Sequence, residues 1–415
     1  MRILFFSTAF PQPHEPSRNP DNLERCVALA RTHAVQVLSP LSFRHIPDIA
    51  GQDRLLSIRG LTVARPVYFY PPGLFRGVHA WCMWQGIRRE ASRVIARFRP
   101  DAVLSYWTYP DTAVAARVAR RAGIPCVAIV GGSDVLSIDP AAPGATGKRV
   151  ARALLAADGI AAVSDTIKDR LVDLGVEPRN IQVLPAAVDK TIFFPDSRLN
   201  ARDQLEIPRD ASVLVWVGRM VTVKALATLL EAVADASGRC PGLRLYLVGD
   251  GPLRRSLESR VVALGLSRIV TFAGRVAHRD LPSYYRAADV TVLPSHWEGL
   301  PNVLVESHAC GTPFVASAVG AIPQLADPDR DELVAPGNRR QLGDAIVRAL
   351  ERGDANHGDV MSSAGGWEQM ADALASLLAA ARRRRRVSEL EEQRVAVARA
   401  RMLLRLTQHR SGRAS

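Results

Sequence analysis

The sequence predicts an α/β protein of two doubly wound, Rossmann-like domains facing a cleft, plus a C-terminal helical basic tail. Three observations predict it. Short β-rich apolar runs alternate with longer helical stretches, as parallel strands buried on both faces require. The alternation stops at a polar segment with two prolines, FFPDSRLNARDQLEIPRD (193–210), and then begins again. The length of 415 residues, with 47% hydrophobic and 23% charged residues, suits two domains that each bury a core. The chain therefore divides into a domain at 1–192, a linker at 193–210 and a domain at 211–365. A helix at 366–380 packing back on the first domain and a basic amphipathic tail at 381–415 follow.

The first run, Ile3–Phe6, lies in MRILFFSTAF, which has one Arg and stops at Pro11. That suits a buried strand better than a signal peptide. Further strands are predicted at Ala34–Leu38, Leu61–Ala64, Ala102–Ser105, Cys126–Val130, Gly159–Val163 and Ile181–Leu184. Helical stretches such as Asp111–Ala122 and Ser164–Leu174 lie between them. The second series runs Ser212–Val217, Arg244–Val248, Ile269–Phe272, Asp289–Leu293, Phe314–Ala316 and Glu332–Val334. A helix at Gln341–Glu351, a Gly-rich break and a helix from Trp367 to Ala380 follow. Beyond it, Val395, Val397, Ala398, Met402, Leu403 and Leu406 fall roughly on one helical face among arginines. In such sheets ligands bind at the carboxyl ends of strands, in the loops before helices.

The net charge is +13, and residues 380–415 alone carry eleven Arg against three Glu. Most of the basic excess is therefore a tail. No nucleic-acid module is evident in the body, so no specific nucleic-acid partner is expected. Only four lysines occur, Lys148, Lys168, Lys190 and Lys224. Five scattered cysteines show no metal or redox spacing, so no metal is expected. No run of eighteen apolar residues exists, and a cytoplasmic location is expected. Residues 65–99 mix seven aromatics with seven Arg and one Glu. That pattern and the tail suggest peripheral contact with an anionic membrane surface.

The chemistry concentrates in PSHWEGLPNVLVESHACGTPFVASAVGAIPQL (294–325). A strand enters a loop holding Glu298 and Gly299, and Pro301 opens a helix through Asn302. A helix N-terminus beside a glycine presents free N–H groups to an anion such as a diphosphate. Glu298 and Glu306, spaced E-x7-E, could grip the vicinal hydroxyls of a nucleotide sugar. WVGRMVTVKALATLLEA (216–232) adds a turn at Gly218, with Arg219 and Lys224 available to neutralise a diphosphate. LVGDGP (247–252) is another glycine turn at a strand end. The DxD at Asp327 and Asp329 reads as an exposed loop.

The segments VGR…K (217–224), LVGDGP, EGLPNVLVE (298–306), GTPFVAS (311–317) and VGAIPQL (319–325) resemble retaining glycosyltransferases of family 4, with the GT-B fold. In the first half, 163–195 resembles the family's approach to the linker, and 106–134 resembles the acceptor-side strands of members that build cell-surface polysaccharides. The resemblance spans about residues 1–380. It implies that Gly218, Arg219 and Lys224 hold the donor diphosphate. It gives Glu298, Gly299, Leu300, Pro301 and Asn302 to the donor hexose, and Glu306 to the ribose. Glu298 and Asp134 would be catalytic, and Trp107, Tyr109 and Asp111 would face the acceptor. The implied partners are a nucleotide sugar and a glycan or polyprenyl-linked acceptor. The nucleotide diphosphate sugar is a co-substrate, with no cofactor and no metal. Four positions depart from the family pattern: Gly131, Ala187, Ala225 and Gln324. They keep open a catalytically weak scaffold protein, and a nucleotide-sugar epimerase on the same fold is the other alternative.

Overall fold

The computed structural model describes residues 1–12, 19–46, 53–71, 76–136, 138, 144–353 and 365–411. Phe75, the Gly-rich break at 354–364 and the last residues of the tail lie outside the described residues.

The first domain is built on β1 (Arg2–Phe6), β2 (Ala34–Leu38), β3 (Leu41–Ser42), β4 (Leu55–Ile58), β5 (Leu61–Ala64) and β6 (Val67–Tyr68). It continues with β7 (Ala102–Tyr106), β8 (Cys126–Val130), β9 (Gly159–Ala162) and β10 (Ile181–Val183). Eight of these form one sheet in the order β10-β9-β8-β7-β1-β2-β5-β4, with β3 and β6 paired separately. All neighbours in the large sheet are parallel except the edge pair of β4 and β5. The apolar run Cys126–Val130 is buried along its whole length, as a central parallel strand requires.

The second domain contains β11 (Ser212–Val217), β12 (Leu243–Val248), β13 (Val270–Gly274), β14 (Val290–Leu293), β15 (Phe314–Ser317) and β16 (Glu332–Val334). Their order, β13-β12-β11-β14-β15-β16, is all parallel and reverses between β11 and β14. In the first sheet the reversal lies between β1 and β7. These switch points are where loops diverge and open a crevice. The loop after β8 meets the loop after β14 where the two domains touch, at Gly132 and Gly299.

Two segments differ from the sequence expectation. The stretch 193–210 is more than a polar linker, because it holds the helix Arg198–Gln204. Arg198 and Arg202 both bind Asp289, at 2.7 and 2.8 Å, and the buried Arg202 also donates to the Ala287 carbonyl. The helix is thus fastened to the second domain by charges that looked solvated. The final helix is a single element, Trp367–Ser411. Its Met370, Leu374, Leu377, Leu378 and Ala381 belong to the core of the first domain. Arg382 pairs with Asp101 at 2.8 Å, and Arg384 and Arg385 donate to the Asp158 and Ile124 carbonyls. Three arginines of the RRRRR run therefore seal the amino-terminal edge of the first sheet. Among the described residues no helix is long and apolar enough to cross a membrane.

Candidate active site

Each loop at the junction is shaped by glycines. After β11, Gly218 takes φ 154 and its N–H reaches the Val248 carbonyl at 2.9 Å. A Cβ on Gly249 would overlap the Gly218 carbonyl, and one on Gly251 would lie 2.5 Å from the Met220 carbonyl. The LVGDGP turn therefore packs backbone to backbone under the 218–220 loop and supports it. Arg219 is exposed on that loop. The turn Thr222–Lys224 follows, and Ala225 adopts left-handed φ 50 before the helix Leu226–Ser237. The L-residue is held there at a cost of about 1–2 kcal/mol.

The loop after β14 is clamped from both sides. A Cβ on Gly132 would lie 2.5 Å from the Gly299 Cα, so the two domains touch there. On the other side, Gly320 at φ 58 abuts the Glu298 carbonyl, and the Ala321 N–H donates to the Gly299 carbonyl at 3.0 Å. This fixes Glu298, whose Oε1 meets Lys224 Nζ at 2.5 Å with both groups half-buried. Leu300 packs against the second domain's core, and Pro301 lies just before the helix Asn302–Ala309.

Glu306 is buried in this helix, and its carboxylate is oriented by two side chains. His278 Nε2 and Tyr285 Oη each lie 2.8 Å from one of its oxygens. Phe193 wedges against both rings, at 5.0 and 6.2 Å between centroids. Burial lowers the His278 pKa, but the bond to Glu306 and the nearby Glu306 and Asp21 charges outweigh it and raise it. Asp21, from the helix Pro20–Ala30 of the first domain, accepts a hydrogen bond from Asn302 across the junction. Burial pushes the Asp21 carboxyl upward, and the Glu306 charge adds to this against the pull of Arg25. Sequence reasoning missed Asp21, His278 and Tyr285. His278 lies in the turn His278–Asp280 and Tyr285 in the helix Leu281–Ala287 that follows it, and both meet Glu306 only through the fold.

The first-domain candidates sort differently. Asp134 is turned back onto the Gly131–Gly132 turn that precedes it: it accepts from Thr108 N–H at 3.1 Å, from Thr108 Oγ1 at 2.5 Å and from Gly132 N–H at 3.0 Å. Burial raises its pKa against those bonds. Asp111 is fully buried and accepts from Thr8 N–H at 2.6 Å and from the Ser7 hydroxyl at 3.3 Å, fastening the loop after β1. Trp107 takes φ 79, with its carbonyl bonded by Thr112. Tyr109 donates to the Gly77 carbonyl at the rim of an outer groove of about 530 Å³. Arg117, Arg120, Arg121, Arg149 and Arg152 line that groove, and among the described residues no carboxylate pairs with them.

The departures from the family pattern have local accounts. Ala187 needs no positive φ and forms a bridge to Gly365. Gln324 reaches Thr166 Oγ1 across the junction at 3.5 Å, and that hydroxyl donates to the Gly320 carbonyl at 3.1 Å.

Comparison with known proteins agrees with this architecture. A family model described as "Glycosyltransferase Family 4" matches residues 23–191, and one described as "Glycosyl transferases group 1" matches residues 211–352. A D-inositol 3-phosphate glycosyltransferase from Streptosporangium roseum is 30% identical over 370 residues, covering 84% of each chain. A putative teichuronic acid biosynthesis glycosyltransferase, TuaC of Bacillus subtilis, is 28% identical over 84% of this chain and 89% of its own. Against a D-inositol 3-phosphate glycosyltransferase from Saccharomonospora viridis, 36% identical over 52% of this chain, the match spans about half, 54%, of that relative's length. Among solved structures, sucrose-phosphate synthase from Thermosynechococcus elongatus superposes with a TM-score of 0.70 at 21% identity, covering 95% of this chain and 99% of that one. Anabaena HepE, solved in complex with UDP-glucose, gives 0.65 at 19% identity, covering 94% of this chain and 100% of that one.

Proposed function

Because the chain belongs to glycosyltransferase family 4 and has the GT-B fold, we propose that it transfers a hexose from a UDP- or GDP-sugar to a hydroxyl of a glycan or lipid-linked acceptor, with retention of anomeric configuration, in surface polysaccharide synthesis. The observation that carries this reading is the loop after β14, with Glu298 held against Lys224 and Glu306 oriented by His278 and Tyr285. On donor binding, Lys224 and the exposed Arg219 take the diphosphate. Glu298, released from Lys224, accepts hydrogen bonds from the hexose. Glu306, already fixed, accepts them from the ribose. The bond from the anomeric carbon to the diphosphate oxygen breaks, and the acceptor oxygen bonds that carbon on the same face. The acceptor proton passes to the departing phosphate oxygen. Lys224, Arg219 and the N-terminus of the helix Asn302–Ala309 stabilise the charge that develops there, and the proposal invokes no metal.

On the acceptor side, the five-arginine groove beside Tyr109 supports a phosphate-bearing acceptor such as a polyprenyl-linked sugar at an anionic membrane face. Thermal unfolding against a panel of UDP- and GDP-sugars tests the donor assignment. One nucleotide sugar should raise the melting temperature, and Lys224→Met should abolish most of that rise. A panel with no stabilising member contradicts the assignment.

A further inference from the structure

Tyr106 is the last residue of β7, at the switch point of the first sheet. Its ring is half-buried, with the Arg25 guanidinium 5.7 Å from the ring centroid. Its hydroxyl occupies the space into which a side chain at Gly131 would project, 2.8 Å from the position of a Cβ there. The Gly131 carbonyl in turn abuts Gly299, so the phenol tip stands close to the loop that carries Glu298.

The charged groups that act on it are committed: Asp134 bonds Thr108 and Gly132, Asp21 accepts from Asn302, and Arg25 donates to Asn22. Among the described residues, nothing hydrogen-bonds the Tyr106 hydroxyl. Burial pushes its pKa up to about 12, with Arg25 opposing and Asp134 and Asp21 adding to the rise. The hydroxyl is therefore protonated near neutral pH, where it can donate a hydrogen bond.

We infer that the Tyr106 hydroxyl donates a hydrogen bond to the hexose of the bound nucleotide sugar, reaching it from the first domain opposite Glu298. Glycine at position 131 is what leaves room for it. This rests on the donor reading above and adds a sugar-contacting residue on the first domain. The contact senses the sugar and not the nucleotide, because the nucleotide end of the site lies at Glu306, His278 and Tyr285.

Isothermal titration separates these statements. The probes are UDP-glucose and GDP-mannose, with UDP and GDP as sugar-free controls. Tyr106→Phe keeps the ring and its packing and removes only the hydroxyl. It should bind the nucleoside diphosphate as the wild type does, and bind the nucleotide sugar about three- to tenfold more weakly, the loss of one neutral hydrogen bond. Gly131→Ala, which crowds the hydroxyl, should weaken the sugar nucleotide in the same direction. An unchanged Kd for the nucleotide sugar in Tyr106→Phe overturns the inference and leaves the donor reading standing. So does an unchanged donor Kd with a raised KM for the acceptor, which would place the hydroxyl on the other substrate. A wild-type protein that binds UDP or GDP but neither sugar nucleotide more tightly than its control also overturns it. One that binds none of the four overturns the inference and the donor reading together.

Discussion

Asp21 is the residue at which burial and charge conflict most openly. It faces Glu306 across the junction, and folding raises its pKa, with burial as the main cause. A group that binds its proton more tightly when folded contributes most below its ordinary value of 3.8, and that contribution is lost as pH rises through the raised value. Asp21→Asn removes this dependence while keeping an oxygen for Asn302. Melting temperatures measured against pH should show the variant matching the wild type in acid and gaining on it as pH rises. A gap that closes with rising pH would contradict the account. Ala225 gives a second residue-scale prediction. Its φ of 50 costs an L-residue what glycine avoids. Ala225→Gly should stabilise the second domain by about 1 kcal/mol in denaturant titration, once glycine's greater unfolded-state freedom is set against the relieved strain.

At the scale of the element, the strands were the most legible part. Cys126–Val130 is a continuous apolar run and Val290–Leu293 is broken only by the buried Thr291, and such short β-rich runs suit strands buried on both faces. The Glu298–Glu306 loop was legible for a related reason, since its glycine, proline and carboxylates are local in sequence. What sequence reasoning missed depends on partners far away. Asp111 looked like a cleft residue, yet its partners are Ser7 and Thr8, about a hundred residues earlier. Asn302 finds Asp21 from 281 residues away, and a polar segment became a docked helix because Asp289 accepts two of its arginines. The final helix shows the same limit, since its apolar positions 374, 377 and 378 could face either domain. Leu374→Ala, fully buried against the first sheet, should cost about 2–5 kcal/mol in chemical denaturation. It should leave nucleotide-sugar affinity in the second domain unchanged.

At the scale of the molecule, the charge divides by task. Arg382, Arg384 and Arg385 hold the final helix to the first domain, so the basic tail begins as a structural clasp. Val387 and Leu390, just beyond them, are exposed. Removing 387–415 should keep the fold and lower binding to vesicles containing anionic lipid. Removing 382–415 should also lower the melting temperature, because the clasp goes with it. Equal melting temperatures for the two truncations would contradict that division. The central claim concerns the proposed donor site, where the segments after β11 and β14 at the second sheet's switch point carry Lys224 and Glu298, and the helix Asn302–Ala309 carries Glu306. The most direct measurement is release of nucleoside diphosphate from the stabilising nucleotide sugar with a polyprenyl-linked acceptor, for the wild type and Glu306→Ala. Loss of the ribose contacts should reduce kcat/KM about a hundredfold in the variant. Turnover equal to the wild type in Glu306→Ala, or none in the wild type with any donor, would contradict it.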